Sequence, residues 1–282
     1  MQVFTDKNEL QIWLQPKRVK GQKVGLVPTM GALHEGHLSL VRKAYAENDV
    51  VVVSIFVNPT QFNNADDLTN YPSDLDGDLK QLASVSEDLV VFTPSKEHIY
   101  EGSITSNAYN FNGLEHIMEG SFRPGHFNGV ATIVSLLFKA VLPDNAYFGE
   151  KDYQQLMIIK RLVQEEAIEV AIIPCAIERE KNGLAMSSRN QRLSLETRKE
   201  AGFIYETLKT AKGKFGTENA ILIEDWVRRQ FNRNALFELE YFQIADANTL
   251  APIEEIENDK KYRAFVAVYA EGVRLIDNIA LN

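Results

Sequence analysis

Cysteine is almost missing: Cys175 is the one thiol in 282 residues. A lone cysteine excludes an intrachain disulfide framework and a cysteine-rich zinc site. Its place in an apolar run suits packing better than reactivity. Long apolar runs are missing too. None approaches the ~20 residues that a helix needs to cross a bilayer. The start, MQVFTDKNELQIW, has no basic segment followed by an apolar one, so a secretory signal is not expected and a cytoplasmic location is. Positive charge is in deficit: 30 Lys and Arg against 39 Asp and Glu give a net charge of −9. That argues against broad binding to nucleic acid or to an anionic membrane. It leaves room for a small anionic ligand, which feels local donors more than total charge. There is no internal repeat and no low-complexity tract.

What remains is an ordinary globular composition, and a length that suits one large domain or two ordinary ones. KVGLVPT, 23–29, reads as a buried strand, and the spacing of Leu33, His37, Leu40, Val41 and Ala44 predicts a helix after it. NDVVVVSIFVNPTQF, 48–62, reads as a second strand, whose unbroken apolar run suits cover on both faces. Further strands are expected at 89–94 and 169–177, a strand end and loop at 146–152, and helices at 127–142 and 153–166. Alternating strands and helices mean a parallel α/β sheet. After about residue 180 the order changes. Helices at 194–212 and 217–232 precede strands at 238–245 and 262–270, which predicts a smaller α+β C-terminal domain. The boundaries are 1–177 and 178–282, with a hinge and nucleotide loop at about 178–194.

Histidine is scarce, five in all, yet His34 and His37 lie three apart in VPTMGALHEGHLSLV, 27–41. A strand ends near Thr29 and a helix begins within a few residues. The free N–H groups of a helix start favour anions, and ligands of open α/β sheets bind at the carboxyl ends of strands. Histidines at i and i+3 share a helical face. The combination predicts a phosphate site, with imidazoles donating to charge that develops on phosphorus. It is not a Walker A loop, and its histidines are one residue too close for H-E-x-x-H. Two imidazoles are too few for zinc, and nothing nearby completes a set. The plain alternative is two helix histidines without a role.

Four other stretches carry chemistry. In FVNPTQF, 56–62, Asn58-Pro59 makes a turn, and the Gln61 amide both donates and accepts, as a hydroxylated carboxylate requires. FGEKDYQQL, 148–156, offers Gly149 for close approach, Lys151 as a phosphate cation, Asp152 for a ribose, a metal or a helix cap, and Gln155 one turn on. In GLAMSSRN, 183–190, two hydroxyls and the Arg189 fork can wrap a polyphosphate, or the segment is simply a linker. In FRPGHFNGVATIV, 122–134, Arg123 and His126 flank a Pro-Gly turn, for which a structural role is the stronger reading.

Together, and in this order, PTMGALHEGH, FVNPTQF, FRPGHFNGV, FGEKDYQQL and GLAMSSRN closely resemble the pantoate–β-alanine ligase (pantothenate synthetase) family, over nearly the whole chain. That family is a member of the cytidylyltransferase-like, or nucleotidylyl transferase, superfamily. HEGH is similar to its H-x-G-H signature, and MSSRN looks like its counterpart of the K-M-S-K-S loop. The resemblance implies a Rossmann-like sheet that binds ATP and pantoate, with a smaller α+β lid. It implies ATP-dependent condensation of (R)-pantoate with β-alanine through pantoyl adenylate, releasing AMP and pyrophosphate, in the biosynthesis of pantothenate and coenzyme A. By position, His37, His34 and Lys151 would be catalytic, His37 as proton donor. ATP would meet Met30, Gly31, Ala32, Leu33, His34, Glu35, Gly36 and His37, then Gly149, Glu150, Lys151 and Asp152. Glu178, Met186, Ser187, Ser188 and Arg189 would complete its contacts. Gln61 and Gln155 would hold pantoate, and Gln61 would also border β-alanine. ATP is then a substrate, Mg2+ its companion, and the family implies a homodimer with no nucleic-acid or membrane partner.

The sequence departs from the family where it reads YPSDLDGDL, 71–79. The usual arginine is absent and Gly77 replaces an acid, while Asp78 stands where a metal-linked carboxylate is expected. Glu178 replaces an apolar residue near adenine, where a backbone contact is expected. Two alternatives stay open. One is a nucleotidyltransferase that stops after moving AMP or CMP to a phosphorylated acceptor. Gln61 and Gln155 argue against it, since a phosphate acceptor calls for more basic residues. The other is a nucleotide-binding module without turnover, which would have no need of the histidines, Lys151 and Arg189 together.

Overall fold

A computed structural model describes residues 1–282 except 254 and 258. The chain divides into two compact units, Met1–Glu150 with Gln154–Ala176, and Lys151–Tyr153 with Ile177–Asn282. Each has its own apolar core.

The first unit is built on six strands: β1 (Gln2–Phe4), β2 (Val24–Thr29), β3 (Val50–Ile55), β4 (Val90–Phe92), β5 (Asn145–Gly149) and β6 (Ala171–Cys175). They pair in parallel in the order β1-β4-β3-β2-β5-β6. In β3 the first five residues, Val50 to Ser54, are all buried, as the apolar run requires. The strand stops at Ile55, short of the expected 62. Pro59 has no N–H for a ladder, and the Asn58 side chain accepts from Thr60 N, which starts a 3-10 turn at Pro59–Gln61. The chain runs outward from β2 through β3 to β4, and in the other direction from β5 to β6. The order therefore reverses between β2 and β5. Their pairing covers only Gly25–Leu26 and Asn145–Ala146. Pro28 follows, and the carboxyl ends of the two strands go on without a shared ladder. This is where an open α/β sheet binds its ligand.

Several elements were not legible in the hydrophobic pattern. β1 is three residues long. The helix Lys7–Val19 buries only Leu10 and Leu14 and carries Pro16. The helix Leu75–Val85 is opened by Asp74, whose side chain accepts from Gly77 N.

A partly buried polar knot keys the helix Glu35–Glu47 to the sheet. Asn48, its C-cap, donates from Nδ2 to Tyr147 Oη at 2.7 Å and accepts from Asn145 Nδ2 at 2.7 Å. Tyr147 Oη donates to Glu47 Oε2 at 2.8 Å. Gly25 makes room for the knot, since a Cβ there would lie 2.6 Å from Asn48 Nδ2. Burial first, then the bond to Glu47, pushes the Tyr147 phenol up to about 12.

The second unit carries an antiparallel sheet of β7 (Glu238–Asp246), β8 (Tyr262–Ala270) and β9 (Val273–Ala280), in that order. Strand β9 was not expected. Its signal is the pair Glu271-Gly272, with φ of +51° and +73°, a tight hairpin that reverses β8. The helix expected over 194–212 is two helices, Leu195–Glu200 and Gly202–Lys214, broken at Ala201. Arg179 joins the loop before them to β9 through paired bonds to Asp277 at 2.6 and 2.9 Å. Its guanidinium also stacks 3.6 Å from the Tyr205 ring centroid. Burial pushes the Asp277 carboxyl up, against the pull of Arg179.

Tyr147→Phe is expected to lower stability by about 1–3 kcal/mol, because Glu47 and Asn48 lose a buried partner without any loss of apolar packing. Urea unfolding checks it, and an unchanged midpoint would contradict the keyed helix.

Candidate active site

At the end of β2, Thr29 Oγ1 donates to Ser54 O at 2.8 Å and accepts from Gly31 N at 3.2 Å. The chain then turns through Gly31 and Ala32, both left-handed, with φ of +80° and +48°. Asp78 fixes this turn. One of its carboxylate oxygens accepts from Ala32 N at 3.0 Å and the other from Leu33 N at 2.7 Å. Gln81 Nε2 donates to Leu33 O at 3.0 Å. A Cβ on Gly31 would lie 2.9 Å from Asp78 Oδ2, so glycine is needed for contact as well as for φ. Asp78 is 2% exposed. Burial raises its pKa, while the two N–H bonds work to lower it. Asp78, expected as a metal-linked carboxylate, clamps the loop: each of its oxygens accepts from a backbone amide.

His34 is also differently placed from expectation. It is not on the helix face but caps the helix, in extended backbone at φ −146°, and its Nδ1 accepts from Gly36 N at 3.1 Å. That bond leaves the ring proton on Nε2. His37 sits in the first turn, and the two rings lie 4.0 Å apart between centroids. The imidazoles meet, but a cap and a turn bring them together rather than helical periodicity. Glu35 is ion-paired with Arg42 at the surface.

Gln61 joins this cluster. Its Nε2 lies 3.0 Å from Met30 Sδ, and its Oε1 accepts from Asn58 Nδ2 at 3.0 Å. Asn58 also donates to Gly129 O at 3.1 Å, which ties the turn to the helix His126–Val141. A Cβ on Gly129 would lie 2.3 Å from Thr60 O, so backbone packs on backbone there. Asn58 and Gly129 position Gln61, though Asn58 read as turn chemistry and Gly129 drew no notice. Gln155 is half-buried in the helix Tyr153–Glu165. Gly149 ends β5 and Glu150 follows in the first unit.

The other expected nucleotide residues lie in the second unit. Lys151 O accepts from Asn278 Nδ2 at 2.9 Å, and Lys151 Nζ lies 3.7 Å from Asp152 Oδ2. The segment 178–194 folds as a small hairpin and turn. Met186 N donates to Glu178 O at 3.0 Å, and Arg179 pairs with Ala185. Ser187 caps the 3-10 turn Ser188–Arg192, its Oγ accepting from Arg189 N at 3.3 Å. Asn190, which drew no notice in the sequence, braces the loop from Nδ2 to Glu180 Oε1 at 2.8 Å and to Ala185 O at 3.1 Å.

Among the described residues, no group of three or more His, Cys, Asp or Glu is arranged to hold a metal ion. Among the described residues, no helix is long and apolar enough to cross a membrane. The Cys175 thiol is buried and pushed up to about 11 by that burial.

The family model described as Pantoate-beta-alanine ligase matches residues 2–280. The chain belongs to the pantoate–β-alanine ligase family. It is 53% identical to the pantothenate synthetase of Christiangramia forsetii over 282 residues, with all of both chains covered. It is 48% identical to that of Flavobacterium psychrophilum, also over the whole of both. Among solved structures, it is similar to the pantothenate synthetase of Thermus thermophilus, with a TM-score of 0.91 and 38% identity over 100% of this chain and 99% of that one. It is also similar to the pantoate–β-alanine ligase of Francisella tularensis complexed with beta-gamma ATP and β-alanine, with a TM-score of 0.82 and 39% identity over 100% and 98%.

Asp78→Ala is expected to cost about 1–3 kcal/mol for each amide left without an acceptor, read by chemical denaturation. Protonating Asp78 turns one oxygen into a hydroxyl and frees an amide. Activity should therefore begin to fall, on acidification, above the ordinary carboxylate range. The carboxyl's own contribution to stability has the opposite sign. Its native pKa lies above its unfolded one, so that contribution is present at low pH and is lost as pH rises through the native value. A pH–rate profile with the same acid limb in Asp78→Asn would exclude Asp78 as its source.

Proposed function

We propose that this chain condenses (R)-pantoate with β-alanine, using ATP, to give pantothenate, AMP and pyrophosphate. The observation that carries the reading is the pair of imidazoles on a clamped loop at the carboxyl end of β2, beside the switch point. Membership of the family supports the choice of substrates.

A carboxylate is a poor acyl donor. In the proposed first step a pantoate carboxylate oxygen attacks the α-phosphorus of ATP, and pyrophosphate leaves. Charge builds on the non-bridging phosphoryl oxygens, where imidazole N–H groups and loop amides stabilise it without reorganising. The mixed anhydride, pantoyl adenylate, then has AMP as its leaving group. In the second step the β-alanine nitrogen attacks the acyl carbon, the bond from carbon to the AMP oxygen breaks, and the amine loses a proton. No covalent enzyme nucleophile is needed, and alignment supplies much of the rate. Cys175, buried and held as a thiol, suits no such role.

The proposed roles follow position. His37 donates a proton toward the phosphates, with His34 beside it. Met30 to His37, Gly149 to Asp152, Glu178 and Met186 to Arg189 meet ATP. Lys151 supplies a compact cation for phosphate. Gln61 and Gln155 hold pantoate, and Gln61 borders β-alanine. Magnesium is proposed as the counter-ion of the triphosphate, which suits an ion that keeps its waters and leans on phosphate oxygens. The same reading has the chain working in the cytoplasm as a homodimer.

The test is product analysis with ATP, magnesium, pantoate and β-alanine, each omitted in turn. AMP and pantothenate are expected together only in the full mixture. Retention of AMP in the product would favour a nucleotidyltransferase instead. His37→Ala is expected to lower kcat by about 10²–10⁴-fold, the usual worth of a positioned proton donor, with the unfolding midpoint nearly unchanged. Lys151→Ala is expected to raise the KM for ATP about 10–100-fold, as loss of a charged hydrogen bond does. Unchanged kinetics at limiting ATP would remove its phosphate role.

A further inference from the structure

The stretch from Leu114 to His126 has no role in the chemistry above, yet its hydrogen bonds and an ion pair lead from the Gln61 carbonyl to Gln154, the chain neighbour of Gln155. At one end is the Gln61 main chain. Its carbonyl oxygen lies 2.8 Å from His126 Nδ1 and 3.4 Å from Arg123 Nη2. Arg123 Nη1 lies 3.1 Å from His126 Nε2. A guanidinium only donates, so His126 Nε2 must accept, and the ring proton sits on Nδ1, where it is given to Gln61 O. Both ring nitrogens are thereby assigned. His126 is 6% exposed, so this geometry is held in the interior.

The path continues through Glu119, whose carboxylate lies 3.6 Å from Arg123 Nη1. The Glu119 main-chain N–H donates to Gln154 Oε1 at 3.1 Å. Gln154 Nε2 donates back to the carbonyls of Leu114 and Ile117 at 2.7 and 2.8 Å. Gln154 is buried at the start of the helix that carries Gln155, its immediate neighbour. All of these residues belong to the first unit. The stretch is also tightly folded: a Cβ on Gly120 would lie 2.0 Å from Glu115 O.

We propose that Gln154, Glu119, Arg123 and His126 form a strap that sets the spacing of Gln61 and Gln155, and with it the hydroxy acid that the site accepts. The proposal rests on the pantoate reading of the two glutamines. Neutral amides recognise a substrate by position rather than by charge. A shift of about 1 Å in one of them is enough to cost large factors in rate or affinity. The strap has an inextensible register: an imidazole with a fixed tautomer at one end, and at the other an amide with three partners. His126 and Gln154 act through Gln61 and Gln155 and are positioning residues.

The experiment is steady-state kinetics on the full chain, varying pantoate and ATP separately. The variants are His126→Ala, His126→Asn, Arg123→Lys and Gln154→Ala, with thermal midpoints measured alongside. His126→Ala and Gln154→Ala are expected to raise the pantoate KM about tenfold or more, the worth of a buried hydrogen bond. The KM for ATP should stay within about twofold, because no residue of the strap is among the proposed ATP contacts. His126→Asn keeps a donor close to the Nδ1 position and should recover part of the loss. Preference for pantoate over a shorter 2-hydroxy acid should fall in the same variants. An unchanged pantoate KM in folded variants would overturn the strap. So would a parallel rise for all substrates, or an Asn variant no better than Ala. If His126→Ala does not fold, the comparison of His126→Asn with Arg123→Lys carries the same test. A parent chain that forms no pantothenate would remove the pantoate reading and the strap with it. A parent that does, with indifferent variants, would remove the strap alone.

Discussion

The carboxylate of Asp78 is the point on which the histidine site stands. A loop that leaves β2 through two left-handed residues turns its amides away from any ladder, and amides buried in that way need an acceptor. One side chain satisfies both Ala32 and Leu33. Gly31 must be glycine because the clamp sits where a Cβ would be. With the loop fixed, His34 arrives in the one conformation that caps the next helix, and His37 follows one turn later. The clamp comes at a cost, visible in the upward pull of burial on its own pKa. A carboxylate held against that pull is hard to replace by a neutral group that cannot accept twice.

Beside that loop, backbone packs on backbone. Gly129 lets the helix His126–Val141 rest on the carbonyl of Thr60. Asn58 then bridges Gln61 and the Gly129 carbonyl. The parting of β2 from β5 after Leu26 leaves the carboxyl ends of both strands to the loops that follow them. The residues proposed for chemistry are thus held by neighbours whose own side chains take no part in it. That arrangement suits a reaction in which the enzyme aligns anions and takes up charge without forming a bond to substrate.

The parallel sheet was legible because its strands are apolar without interruption and its longer helices are periodic. The closeness of the two histidines to a strand end was legible because a strand end and a helix start leave amides exposed whatever the fold around them. Other features were not, for physical reasons. Strand β1 is too short to show a period. The helix Lys7–Val19 buries too few residues, and Pro16 argues against it. Asp78 lies 45 residues from its partner Leu33, and a contact at that separation leaves no local signal. The motif FRPGHFNGV was read as a turn, which it contains, while the hydrogen bonds of Arg123 and His126 to Gln61 depend on tertiary placement. Strand β9 did have a local signal in Glu271-Gly272, and alternation in VRLIDNIA should have followed from it.

The single cysteine has a consequence of a practical kind. Its sulfur is buried, and that burial pushes the thiol up to about 11. The attacking species in alkylation and disulfide exchange is the thiolate, so this sulfur is all but silent toward maleimides and nitroxide reagents. A cysteine placed at an exposed position would be the sole labelling point. The wild-type sequence is therefore a ready background for fluorescence or spin-label distances between chosen surface positions, without first removing a native thiol from the core.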